Sequence, residues 1–377
     1  MEKMSVDKIL EYYYQLPVFI KIAAAVSAGA VIGGILVYLF ILLWRRRGAV
    51  SDRKKAKLLP EIRELIVKHV ILAESSVPTE TVAFSLDEFR GLGLRKPEVR
   101  QFLVEELMEY RRNFSGRPRK WLTRLYTDLG LHHIAEKNLT RKRTQTIISA
   151  LDELVSMGVP VNEDKMLPLL DHKNRYIREG ARCYFIKLSE RRPFFFLEKI
   201  SIPLLYWEQI EMFRIITQRK DVKIPDFSHW ISMEHHPSVV SFCLKLAVHY
   251  QQIEAVSAIV SLLETENVRL RAELINALGK LMAEEAEAHL ISIYNHQPRH
   301  CKLEILKALG RIGSGKSLSF LRDKFESEQE ILLRKHAARS IVNHHALSED
   351  LLREMQAEAV GPGHIVLKHA ANPLIKY

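Results

Sequence analysis

VRLRAELINALGKL, residues 268–281, and RHCKLEILKALGRI, residues 299–312, decide how this chain folds. Laid over one another at a spacing of 31, they put Leu274 on Ile305, Ile275 on Leu306, Ala277 on Ala308, Leu278 on Leu309, Gly279 on Gly310 and Leu281 on Ile312. The same step runs backwards onto Cys243, Leu244, Leu246, Ala247 and Tyr250. It also aligns a second helix in each unit, through Ile259, Leu290 and Leu321 and through Leu263, Tyr294 and Phe325. Apolar residues recur at i, i+3, i+4 and i+7, the period of an amphipathic helix. Each unit is therefore a pair of helices too small to bury its own apolar faces, and stacking neighbours builds the core. No alternating run bounded by hairpin dipeptides stands anywhere in the chain, so the expected class is all-α, an α-solenoid of stacked helix pairs.

The residues that carry the repeat resemble the HEAT-repeat superfamily in its short bacterial form: Val268-Arg269, Ala272 and Ala277-Leu278-Gly279, with DHKNRYIREGA (171–181) and Arg334-Lys335-His336-Ala337-Ala338 as further unit openings. The step is shorter than the roughly 40 residues of most HEAT and armadillo units. Tetratricopeptide arrays are nearer in length, but their Trp, Leu-Gly and Tyr positions are missing from this register. The resemblance places the array at 141–346, strongest over 236–346, fair over 140–200 and weak over 200–235, where Pro203, Pro225 and several aromatics imply an irregular pair. Residues 347–377 form a C-terminal cap and tail. A HEAT array implies a long curved face for protein partners, hence a scaffold and not an enzyme; HEAT-like bilin lyases keep a lyase-like reading as an alternative.

Outward from the array, residues 22–44, IAAAVSAGAVIGGILVYLFILLW, are free of charge and run directly into Arg45, Arg46 and Arg47. Twenty-three residues make roughly 34 Å of helix, enough for a hydrocarbon core of about 30 Å. A signal peptide has an apolar core of only about 7–15 residues, with charge in front and a small-residue cleavage site behind; neither holds here. The expectation is a single transmembrane helix. Before it, in 1–21, Lys3, Lys8 and Lys21 balance Glu2, Asp7 and Glu11; behind it, the juxtamembrane segment 45–58 carries Arg45, Arg46, Arg47, Arg53, Lys54, Lys55 and Lys57. That bias places the C-terminal side in the cytoplasm, at the inner membrane, and suits the basic segment to anionic lipid. Tyr12, Tyr13, Tyr14 and Trp44 stand where interfacial aromatics anchor a span. Ala25, Gly29 and Gly33 repeat small residues on one face, which would let a partner's helix pack closely.

Residues 59–140 are less repetitive and read as a helical cap, or else a small separate helical layer. A helix is expected from Pro60 to Ala73, ending at a loop marked by Pro78, and another from Pro97 to about Arg112, with turns at GLGL (91–94) and SGRP (115–118). From 45 to 143 there are 23 Lys and Arg against 13 Asp and Glu, about +10 of the chain's net +11. Arg117, Arg119, Lys120, Arg141, Lys142 and Arg143 form a candidate basic binding patch. Nucleic acid or another polyanion is the alternative partner, but no helix-turn-helix, RNA-binding aromatic motif or zinc module accompanies the charge.

Gly310 to Ser317, GRIGSGKS, matches the phosphate-loop pattern to the letter. Such a loop follows a strand and opens a helix; this one follows a helix in repeat register, and GKLMAEEA occupies its place one unit earlier. It reads as an inter-helix turn, with Gly310 or Gly313 closing a helix. The pairs His132-His133, His235-His236 and His344-His345 lack metalloprotease spacing. Cys183, Cys243 and Cys301 are odd in number, unpaired in spacing and set in apolar helical patterns, as reduced core residues are. Glu284, Glu285 and Glu287 suit a helix start, and Phe194, Phe195 and Phe196 a helix–helix core. No catalytic, cofactor or metal site is expected. The expected protein is a single-pass, membrane-anchored cytoplasmic scaffold or adaptor whose solenoid binds a protein partner, with membrane lipid and a partner helix as further contacts. Anchored bacterial HEAT proteins suggest an accessory subunit of a membrane enzyme, a glycosyltransferase complex for example; no small-molecule substrate is expected.

Overall fold

A computed structural model describes residues 17–72, 84–189, 192–219, 223–372 and 374, and among them no strand occurs. Tyr12, Tyr13 and Tyr14 and the loop at Pro78 lie outside the described residues. The chain divides into two compact units, 1–134 and 135–377.

The first unit is built on α1, Val18–Ile66, which runs on through a π-helical turn, Val67–Ile71. Its first part, Val18–Arg46, has a mean hydropathy of 2.5 and none of it is covered by protein. A signal sequence passes the same test of length and composition; a soluble core helix would be covered. Pro60 does not open a helix, as its sequence context predicts, but lies inside α1. Proline after a basic, helix-favouring stretch reads as a helix start because a missing N–H is harmless there. Here the chain on both sides of it is already helical. The segment beyond it buries Ile62, Ile66 and Val70 completely.

After α2 (Leu86–Gly91), α3 (Pro97–Asn113) begins at its proline as expected and packs beside α1. Lys54–Glu98 at 3.0 Å, Lys55–Glu105 at 2.5 Å and Arg63–Glu106 at 2.8 Å join the two helices in ascending order, so they run side by side in the same sense. SGRP is no free turn: Gly116 and Pro118 lie in the opening of α4 (Gly116–Asp128). The boundary between the units falls within α5 (Leu131–Asn138).

The second unit is the solenoid. It opens with α6 (Thr144–Met157) packed on α7 (Arg175–Leu188). The short α8 (Phe196–Lys199) and α9 (Tyr206–Gln218) follow as the irregular pair. Then come α10 (Pro237–His249) with α11 (Val256–Ser261), α12 (Val268–Lys280) with α13 (Glu287–Ile293), α14 (Arg299–Ile312) with α15 (Leu318–Ser327) and α16 (Ile331–Val342) with α17 (Glu349–Glu358). α18 (Pro362–Ala371) packs on α16 and ends the stack.

The aligned positions form the core: Ile259, Leu290 and Leu321 are fully buried, as are Leu246, Ala277 and Ala308 or nearly so. Two glycines set how closely successive first helices meet. A Cβ on Gly279 would lie 2.5 Å from Cα of Ala308, and one on Gly310 would lie 2.6 Å from Cβ of Ser340. Gly310 is thus a packing residue, and the helix is closed by Gly313, in the left-handed region at φ 66°.

The same closing position is left-handed one and two units earlier, where Met282 and Gln251 both have φ 53°. A side chain there costs about 1–2 kcal/mol, partly offset by about 0.5–1 kcal/mol of lost freedom when it is replaced by glycine. Met282→Gly is therefore expected to stabilise the protein by about 0.5–1 kcal/mol, since its side chain is exposed. Gln251→Gly should gain less, because the Gln251 amide donates to the Val248 carbonyl at 3.0 Å. Thermal melting of the two variants side by side tests both the sign and the order.

Candidate functional site

The irregular pair supplies two adjacent exposed aromatic side chains of the solenoid, Tyr206 and Trp207. Its position follows from a charge pair under it. Arg182 on α7 is fully buried and donates through Nη1 to Oε2 of Glu208 at 2.8 Å. Its Nη2 reaches toward the carbonyls of Leu170 and Ile202 at 3.5 and 3.4 Å. Oε2 of Glu208 also accepts from the Leu205 amide at 3.0 Å, which closes the first turn of α9. Burial pulls the Arg182 pKa down, and the Glu208 carboxylate acts against that shift.

With Glu208 and Gln209 turned inward, the neighbouring side chains have to face out: Tyr206 is 64% exposed and Trp207 63%. Such residues, one turn long and unburied, mark interaction surfaces more often than chance exposure. α9 stands as a ridge between two hollows. On one side a hollow of about 400 Å³ is walled by Tyr176, Cys183, Trp207 and Met212 over Leu151 and Val155. On the other a groove of about 640 Å³ runs across α9, α10, α12 and α14, with Ile210, Phe213, Leu244 and Val248 among its apolar lining. The His249 ring meets Phe213 edge-on at 5.1 Å and ties α9 to α10.

A polar row crosses the groove from repeat to repeat. The Ser241 hydroxyl donates to Glu273, and Arg269 Nε stands 3.6 Å from the same carboxylate. The Asn276 amide donates to Glu304 at 2.6 Å and Lys307 to its other oxygen at 2.8 Å. Burial pushes the Glu304 carboxyl up, but those two donors outweigh it and leave the pKa below its usual value. Lys245 donates to Oε1 of Gln209 at 2.7 Å and lies 5.3 Å from the Tyr206 ring centre. The arrangement can hold a chain with mixed apolar and polar side chains; it places no nucleophile beside a base.

The residues singled out in the sequence fall as follows. Ala25, Gly29 and Gly33 lie on α1, exposed, with open space at both glycines. Arg45, Arg46, Arg53 and Lys57 are exposed, whereas Lys54 and Lys55 are held in the ion pairs with α3; the side chain of Arg47 lies outside those described. The six-residue basic patch is divided. Arg117, Arg119 and Lys120 are exposed in the first unit, with Arg117 5.9 Å from the Trp121 ring, and Arg141, Lys142 and Arg143 are exposed in the second. Beside the first group Arg111 is half-buried, and burial, with Arg119 near, lowers its pKa to about 10.

The phosphate-loop look-alike lies in the turn between α14 and α15, as its register predicts. Ser314 donates to Glu287, Lys316 pairs with Glu284 at 3.3 Å, and buried Ser317 meets His344 at 3.3 Å. Glu287 opens α13, as expected of a helix start, and is buried there. Cys243 and Cys301 are buried free thiols raised in pKa by burial, and Cys183 lines the smaller hollow. Phe194 and Phe196 are in the core, and Phe195 carries the Arg192 guanidinium at 4.2 Å. Among the described residues no group of three His, Cys, Asp or Glu is placed to hold a metal ion.

Sequence reasoning missed the groove and the α9 ridge. No sequence signal gave the ridge: apolar periodicity puts Tyr206 and Trp207 inside, and only the fold shows that the buried stripe of α9 contains Glu208 and Gln209.

Comparison with known proteins finds a family model described as HEAT repeats over residues 256–342. No curated protein matches the chain. Among solved structures, an engineered protein is 15% identical, with 57% of this chain and 97% of that one covered, at a TM-score of 0.29. The complex of CpcE and CpcF of phycocyanin lyase from Nostoc sp. PCC7120 is 13% identical, with 79% of this chain and 98% of that one covered, at a TM-score of 0.24.

Proposed function

We propose that the chain is a membrane-anchored scaffold: α1 holds it in the inner membrane, and the cytoplasmic solenoid binds a protein partner, a reading supported by the match of residues 256–342 to a HEAT-repeat model. The observation that carries this reading is the exposed Tyr206–Trp207 ridge between two hollows on the repeat array. Aromatic side chains lose little conformational freedom on binding and dominate protein interfaces.

The membrane half of the reading rests on the uncovered apolar stretch Val18–Arg46 and on the Lys/Arg bias behind it, which orients the N-terminus outward. Arg45, Arg46, Arg47, Arg53 and Lys57 then face anionic headgroups, with Lys54 and Lys55 shared between lipid and α3. Ala25, Gly29 and Gly33 leave a face on which a partner's span fits closely. A partner held at both levels is itself a membrane protein, and an accessory role beside a membrane enzyme such as a glycosyltransferase fits that demand. The reading includes no catalysis and no cofactor.

The test is purification of the full chain from its own membranes in mild detergent. It is expected to bring down one membrane protein in stoichiometric amount, and a Tyr206→Ala/Trp207→Ala double variant should lose most of it, at least tenfold, with an unchanged melting temperature. A chain that purifies alone, or a partner retained in full by the double variant, would sink the assignment to this surface.

A further inference from the structure

In the groove across α9, α10, α12 and α14, Lys245 is half-buried, whereas Lys280 in the same lining is exposed to solvent. Lys245, Asn276 and Lys307 hold the same place in three successive repeats, 31 residues apart. Asn276 and Lys307 both bond to Glu304, which lies three residues before Lys307 on the same helix. Three residues before Lys245 the chain has Phe242, fully buried in the core. Lys245 thus stands in the lysine position of the repeat without the carboxylate that accompanies Lys307.

No other element makes up the loss. From α9 the groove offers Lys245 the neutral Gln209 amide and the face of Tyr206. From α12 it offers Glu273, already engaged by the Ser241 hydroxyl and flanked by Arg269. Among the described residues no carboxylate forms an ion pair with Lys245. Burial lowers the pKa of its ammonium, Glu273 acts against that from a distance, and Arg269 adds to it. A half-buried ammonium without a counter-charge is a costly arrangement for a fold to maintain for its own sake.

Around it the groove is apolar: Ile210 is 42% exposed, and Phe213 and Val248 lie beside it. We infer that this groove is the seat of an acidic–apolar segment of the partner protein, one that sets an Asp or Glu carboxylate against Lys245 and its apolar side chains against Ile210, Phe213 and Val248. The inference rests on the scaffold reading above and names its ligand class. A nucleic-acid chain fits less well, because Glu273 and Glu304 line the same groove and would meet its phosphates.

A photo-crosslinking residue placed at Ile210 of the full chain, expressed in its own cells, tests this; the same residue at exposed Ser292 on α13 is the comparison site. The captured segment, sequenced by mass spectrometry, is expected to carry Asp or Glu within one helical turn of apolar residues. Capture should fall at least tenfold with Lys245→Glu and with Lys245→Met and persist with Lys245→Arg, at melting temperatures like that of the parent. Lys245→Met keeps the apolar stem, so a fold defect confined to the Glu variant leaves the test standing. A captured segment without a carboxylate, capture indifferent to both Lys245 substitutions, or captured nucleic acid overturns the inference. Protein capture from Ser292 alone overturns it and leaves the scaffold reading intact, whereas no capture at either site, with a chain that purifies alone, removes both.

Discussion

Gly279→Ala is expected to lower the melting temperature of the full chain sharply, although alanine is the better helix former by about 1 kcal/mol. The added methyl would stand 2.5 Å from Cα and 2.8 Å from Cβ of Ala308 on the next first helix. A flexible side chain could move aside; the backbone of α14, packed on both α12 and α16, cannot do so without shifting the stack. Overpacking of a well-filled contact typically costs about 1–3 kcal/mol, and an obstacle made of backbone belongs at or above the top of that range. A net loss of about 2 kcal/mol or more remains after the propensity gain. The second substitution that separates the explanations is Ala308→Gly. It removes the Cβ but leaves the Cα, so the double variant should regain little. Full recovery in circular-dichroism melts would show that the contact is between side chains and not between helix backbones.

The second large effect is expected at Glu208. Glu208→Ala leaves the Arg182 guanidinium fully buried opposite an apolar methyl. Breaking one side of a buried pair costs about 3–5 kcal/mol, most of it the price of the stranded charge. It also takes away the acceptor for the Leu205 amide that closes the first turn of α9. The loss should therefore appear in two readouts: a lower melting temperature, and earlier proteolytic cleavage between Leu205 and Gln218. The paired replacement Arg182→Met/Glu208→Leu strands no charge and should recover most of the stability. A Glu208→Ala protein that melts like the parent would show that the buried guanidinium is satisfied elsewhere.

These two sites also show what a single sequence discloses. The helices from 237 to 342 were legible because the apolar period and the 31-residue step agree, and the aligned core positions are buried where the alignment put them, except Tyr250, which is only half-buried. The glycines were legible as repeat positions but not as contacts, since a helix-closing glycine and a close-approach glycine look alike until the neighbouring helix is in view. Arg182 and Glu208 were not legible at all. Apolar periodicity assigns charged residues to the surface, and only the 26-residue separation closed by folding makes them partners. Pro60 misled for a related reason: the feature that opens one helix is tolerated inside another when the flanking turns are packed. The groove was half legible. Aligning Lys245 with Lys307 exposes the substitution of Phe242 for a glutamate, but nothing in the alignment says that this position faces a hollow.

The uninterrupted α1 gives the apolar stretch a further property. Val18–Ile66 is one helix of 49 residues, about 74 Å long, and its last turns are fastened to α3 by Lys54, Lys55 and Arg63. No loop separates the apolar stretch from the turns packed on α3, so the orientation of one fixes the azimuth of the other. The face bearing Ala25, Gly29 and Gly33 therefore points in a set direction around the helix axis relative to α3, and one residue added between span and body would turn it by about 100°. The apolar stretch has a phase as well as a length, set by its continuity with the packed turns as a key sets a wheel on its shaft.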